Sequence, residues 1–214
     1  MLEMVKLIEA GDVLLVRTTG VMPQLIRWHE SLHHPGICPI NHLVPVVEDE
    51  DMLKHVIQIA PPYVTVVPLL KYIKWMQKKG HLWHCARPSW LDPTFSGEEH
   101  AAGIIKAWRH AFSRYALSTK GNKYPKRDII RLVLYDISGG RINYGNIEQD
   151  YCAETPINGW VAAAHCHHVP DSVDTLKFAG PYDYIKLMQD KDILPICGNS
   201  PWILRSILYK GSSS

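Results

Sequence analysis

Many of the usual signatures of protein function are missing from this chain. It has no GxGxxG and no P-loop, so dinucleotide-binding and triphosphatase chemistry lack a local signal. No cysteines are spaced as CxxC. Cys38, Cys85, Cys152, Cys166 and Cys197 are odd in number and far apart, the pattern of reduced thiols rather than of a disulfide framework. Neither sign of charge dominates: 23 Lys and Arg stand against 21 Asp and Glu, a formal net charge of +2. No long basic run appears, only Lys78-Lys79 and a scattered set from Lys120 to Arg131, which argues against nucleic acid as a partner. No apolar run approaches the ~20 residues of a transmembrane helix. The opening MLEMVKLIEAGDVLLVR meets acidic residues before any run of signal-peptide length, so a cytoplasmic location is expected.

What is present suits a globular domain. The 214 residues are 46% apolar and 21% charged, enough for one core. We expect a single α+β domain over residues 1–210, with a lid or insertion around 81–97, and a tag scar or disordered tail at 211–214. Short strands are expected at 13–17, 42–47, 54–60 and 63–67, with an acidic turn at Glu48–Asp51; the last three suggest an antiparallel meander. Pro45 should confine its strand to an edge or bulge. A helix is expected over 68–79, opened by Pro68 and closed by Gly80. A strand at 82–87 follows. Ser96 and Glu99 form a capping box for a helix whose apolar face carries Ala101, Ile104, Ile105, Trp108, Phe112 and Tyr115. Further helices are expected from Pro125 to Gly139-Gly140, near 157–165 and near 182–189, with a last strand at 192–197.

Two stretches carry the chemical question, Asp150–Thr155 (DYCAET) and Ile40–Val44 (INHLV). A thiol attacks well only as thiolate, so it needs a base or a helix N-terminus beside it, and the base needs a third polar group to orient it. Cys152, His42 and Gln58 supply candidates for the three parts. If the hairpin through 48–52 places His42 directly opposite Gln58, Gln58 orients it; a slip of one residue favours His55 instead. The helix after Cys152 starts either at Thr155-Pro156 or at Cys152 itself. A rival reading takes His81, His84 and Cys85 with His165, Cys166, His167 and His168 as a zinc site, without zinc-finger spacing.

The ordered segments GDVLLVR, NHLVPVVED, HVIQIAPPYVTVVPLLKYI, GNKYP and YCAETP resemble the circularly permuted NlpC-type papain-like cysteine hydrolases, the YiiX/YaeF group, relatives of the lecithin:retinol acyltransferase-like proteins. The resemblance spans roughly residues 10–190. It implies a permuted papain-like fold, an antiparallel meander or small barrel packed on helices. It also implies a thiol hydrolase of amidase or peptidase type acting on an amide or ester of a small molecule, peptide or lipid, with no cofactor. Cys152 matches the nucleophile, His42 the general base and Gln58 the orienting residue, where Glu is more common. Glu154, Asp12 and Tyr124 match supporting positions. Ala153 and Pro156 depart from the family pattern. A catalytically decayed binding module of the same fold is the alternative.

Overall fold

Val13, Leu14, Leu15 and Val16 follow one another in the chain, and side chains along a strand point alternately to its two sides. All four are fully buried, so the strand must be covered on both faces. The computed structural model describes residues 2–20, 23–24, 27–28, 39–93, 99–124, 154–165, 184–185, 187–188, 190–200 and 205. The strands are β1 (Val13–Arg17), β2 (His42–Glu48), β3 (Lys54–Ile59), β4 (Val64–Pro68), β5 (Leu82–Pro88) and β6 (Ile193–Gly198). They form one antiparallel sheet in the order β4-β3-β2-β1-β5-β6. The expected meander is there as β2-β3-β4. The sheet is open, ending at β4 and β6, rather than a small barrel.

Helices cover the two faces. On one side, α1 (Leu2–Lys6) and α2 (Leu69–Lys78) pack on Leu14, Val16, Val44, Val46 and Val56, with Leu69, Tyr72, Ile73 and Met76 of α2 turned inward. On the other, α3 (Glu99–Ser118) and α4 (Glu154–His165) cover Val13, Leu15, Leu43, Val47 and Ile57. The inward stripe of α3 runs through Ile105, Phe112 and Ala116, a spacing of seven and four residues. Ile104, expected on that stripe, is 41% exposed because it lies one helical step off it. The two helices approach closely at Gly159, where a Cβ would lie 2.8 Å from the Phe112 ring. Ser96, the helix expected from Pro125 and Gly139-Gly140 lie outside the described residues.

Two expectations are corrected. Pro45 sits in an interior strand, not on a sheet edge. Val46 spends its N–H on the Asp12 carbonyl and accepts from the Gly11 N–H, both on the β1 side, so the backbone of Pro45 turns toward β3. The β2–β3 ladder runs from Glu48↔Lys54 to Val46↔Val56 and ends just where Pro45 has no N–H to offer. The second correction concerns the candidate lid around 81–97. Residues 82–88 of it are β5, a buried strand between β1 and β6, followed by a single 3-10 turn at Ser89–Leu91.

At the start of β1, Asp12 is fully buried and paired with Arg87 of β5. The Arg87 Nε donates to Oδ1 at 2.8 Å and an Nη to Oδ2 at 3.0 Å, while the same Nη reaches the Leu7 carbonyl at 2.7 Å. The Glu9 N–H also donates to Oδ2, at 2.8 Å. Burial pushes the Asp12 carboxyl up, and the Arg87 hydrogen bonds and charge pull it back. Removing one member of such a pair leaves an uncompensated buried charge. Asp12→Asn is therefore expected to cost about 3–5 kcal/mol and to lower the thermal midpoint by about 10 °C, read from thermal unfolding followed by circular dichroism.

Candidate functional site

The strand carrying His42 is held in place by the residue before it. Asn41 is buried, and its side-chain carbonyl accepts the Thr18 N–H at 3.0 Å and the Thr18 hydroxyl at 3.1 Å. Its amide donates back to the Thr18 carbonyl at 2.9 Å, and its own backbone N–H donates to Val16 at 3.0 Å. This clasp between the end of β1 and the start of β2 fixes the partnership Val16↔His42. No spacing argument singled out Asn41. The available signal was a polar residue set directly between the apolar Ile40 and the strand.

His42 is the first residue of β2 and is partly exposed. Leu43 belongs to the α3/α4 face and Val44 to the α1/α2 face, so alternation puts His42 on the α1/α2 face beside Val16. Burial lowers its pKa to about 4, with no carboxylate offsetting it among the described residues. At neutral pH the imidazole is uncharged and able to accept a proton, but it is a weak base.

Gln58 shares that face, since Val56 lies on it and Ile57 on the other. The expected direct pairing is corrected. Val47 faces His55, so the same register continued brings Ala60, not Gln58, opposite His42. Gln58 falls one ladder step away diagonally, and Thr65 of β4 is its partner on the other side. Among the described residues no hydrogen bond joins His42 to Gln58. His55, the reserve, stands at the far end of β3. Its Nδ1 lies 3.0 Å from the Leu53 carbonyl and 3.4 Å from Asp49, so the hairpin turn occupies it.

Of the supporting residues, Tyr124 lies at the His42 end. Its N–H donates to the Pro62 carbonyl, Lys123 bridges to Tyr63, and the side chain packs against the α3/α4 core. Asp12 lies at the opposite end, four residues and about 13 Å along β1 from Val16. Its work is the pair with Arg87. Glu154 is the first described residue of α4, with Thr155 and Pro156 following it, and the expected start at Cys152 lies outside the described residues. Cys152 lies outside the described residues, two positions ahead of α4. The helix itself rests on the face opposite His42, through Ile157, Trp160 and Ala163.

Alternation also decides against a shared metal site at His84 and Cys85. Cys85 joins the α1/α2 cluster, while His84, paired with Leu15, faces α3 and α4. Among the described residues no three His, Cys, Asp or Glu side chains converge as metal ligands. Cys166, His167 and His168 lie outside them. His84 is 3% exposed, neither ring nitrogen has a hydrogen-bond partner, and burial lowers its pKa to about 4. It leaves no space at Gly198, where a Cβ would stand 2.6 Å from Nδ1. No family model matches the chain, and no curated protein matches its sequence.

Two neutral histidines on opposite faces have a consequence for stability. Their folded pKa values are near 4, below the ordinary 6.5, so the unfolded chain takes up protons first as the pH falls. Their contribution is complete above about pH 6.5 and is lost as the pH falls toward 4, by roughly 3 kcal/mol for each histidine. Urea midpoints should drop steeply across that window, and His84→Met should flatten about half of the drop.

Proposed function

We propose that the chain is a thiol hydrolase of permuted papain-like fold, cleaving an amide or ester through an acyl-enzyme on Cys152. The observation that carries the reading is a neutral imidazole, His42, clasped at the opening of an interior strand with Gln58 on the same face. His42 accepts the Cys152 thiol proton as the sulfur attacks the carbonyl carbon. Backbone N–H groups in the first turn of α4 receive the oxyanion. His42 passes the proton to the leaving amine or alcohol and then takes one from the water that releases the acyl group. Gln58 shares the face but brings no charge to the ring, so the resting pair is thiol and imidazole rather than thiolate and imidazolium. Cell-wall peptides, acylated amino acids and lipids are the substrate classes, and no cofactor is required.

A second reading has a specific observation in its favour. With no hydrogen bond from Gln58 and a weakly basic ring, His42 would also suit a decayed site that binds such ligands without cleaving them.

Iodoacetamide labelling of the native protein, followed for all five cysteines by mass spectrometry, separates the two. In the hydrolase Cys152 labels faster than the other four, and His42→Ala slows it by about 100-fold. Labelling of Cys152 at the rate of an ordinary thiol, unchanged by His42→Ala, leaves the binding module standing.

A further inference from the structure

Cys85 and Cys197 have no part in the chemistry above, yet the sheet sets them face to face. They are register partners on β5 and β6, and both belong to the α1/α2 face. Both are free thiols, 0% and 9% exposed. Antiparallel partners hold their Cα atoms about 4.5–5.5 Å apart, inside the roughly 4.4–6.8 Å that a disulfide spans. The register shifts between Cys85 and Ala86, and such an irregularity adds local twist and play on the edge strand.

The two sulfurs are not equivalent. A hydrogen bond from Cys85 holds the Cys197 thiol below its ordinary value, while burial pushes Cys85 well up. The Arg87 charge favours the thiolate at both. Cys197 also lies nearer the surface, with its Sγ 3.5 Å from the Met4 carbonyl of α1, whereas the Cys85 Sγ is 3.6 Å from Asp12 Oδ2.

We propose that Cys85 and Cys197 form a reversible disulfide that locks edge strand β6 onto β5, with hydrogen peroxide as the oxidant. Cys197 thiolate attacks one peroxide oxygen, the O–O bond breaks, and the departing hydroxide takes the proton that the thiol had released, leaving as water. Cys197 is then a sulfenic acid. Cys85 attacks that sulfur, the S–O bond breaks, and the hydroxyl leaves with the Cys85 proton as a second water. Two electrons pass from the sulfurs to the peroxide. The bond removes the S–H donors facing Met4 and Asp12, so oxidation tightens β6 and takes one anchor from α1. None of this rests on the hydrolase reading.

The test uses the full chain carrying Cys152→Ser, so that the proposed nucleophile cannot consume oxidant. After peroxide treatment and alkylation of remaining thiols, non-reducing peptide mapping should show Cys85 joined to Cys197, reversed by dithiothreitol. The thermal midpoint should rise by about 10 °C. Cys197→Ala should abolish the link, and Cys85→Ala should leave a Cys197 sulfenic acid that dimedone traps. Recovery of both cysteines as free thiols, linkage of Cys197 to another cysteine, or its overoxidation beside an intact Cys85 thiol would each overturn the proposal. The mapping decides even if a single variant does not fold.

Discussion

The buried pair of Asp12 and Arg87 is the junction from which the rest of the structure hangs. It closes the β1–β5 ladder just beyond Val13↔Ala86. Arg87 also binds the Leu7 carbonyl after α1 and lies 3.6 Å from Asp92 after the 3-10 turn, and Asp12 accepts the Glu9 N–H. One residue earlier, Gly11 has φ +88°, and a Cβ there would stand 2.6 Å from Leu91. Its carbonyl takes the Trp160 indole N–H of α4 at 3.0 Å. Helices on both faces are thus referred to the same few residues at one end of β1. Such pairs contribute little net stability against an apolar replacement. What this one specifies is register: a slip of β5 against β1 by one residue would separate the charges inside the core. Fixing that end leaves the other end of β1, where Asn41 and His42 sit, defined by the ladder between.

That division explains what the sequence revealed and what it concealed. Strands and helices with strong local patterns were legible. Val13–Arg17, Pro68 opening α2 and Gly80 after it lie where propensity and capping put them. Interior position was not legible, because a strand buried on both faces and an edge strand share the same apolar run. Pro45 looked like an edge residue, yet it ends one ladder of an interior strand. The stretch 82–88, His84 and Cys85 included, looked separable and is central. Of the candidate site, the face shared by His42 and Gln58 followed from alternation. The hairpin register did not, since in the turn through Asp49–Leu53 the N–H groups of Asp51 and Leu53 donate to the Asp49 carboxylate.

Alternation also reads the histidine and cysteine clusters differently from sequence proximity. His84 and Cys85 are adjacent in the chain and on opposite sides of the sheet, while Cys85 and Cys197 are far apart in the chain and side by side. One face holds a dithiol next to a guanidinium; the other holds an imidazole with no partner among apolar side chains. The period of two along β5 thus separates His84 from Cys85 and sets Cys85 beside Cys197.

The neutrality of His42 decides what kind of thiol chemistry this fold can host. An ordinary cysteine near 8.5 and an imidazole near 4 differ by about 4.5 pH units, so moving the proton between them in the resting state is uphill by roughly 6 kcal/mol. A resting thiolate–imidazolium pair is therefore disfavoured at His42. Proton transfer has to accompany carbon–sulfur bond formation, when the developing tetrahedral centre makes the thiol proton acidic. A carboxylate at position 58 would shift that balance by stabilising the imidazolium, whereas Gln58 brings no charge to the ring. In the proposed hydrolase His42 therefore serves as the proton's carrier during the attack rather than as a charged partner at rest.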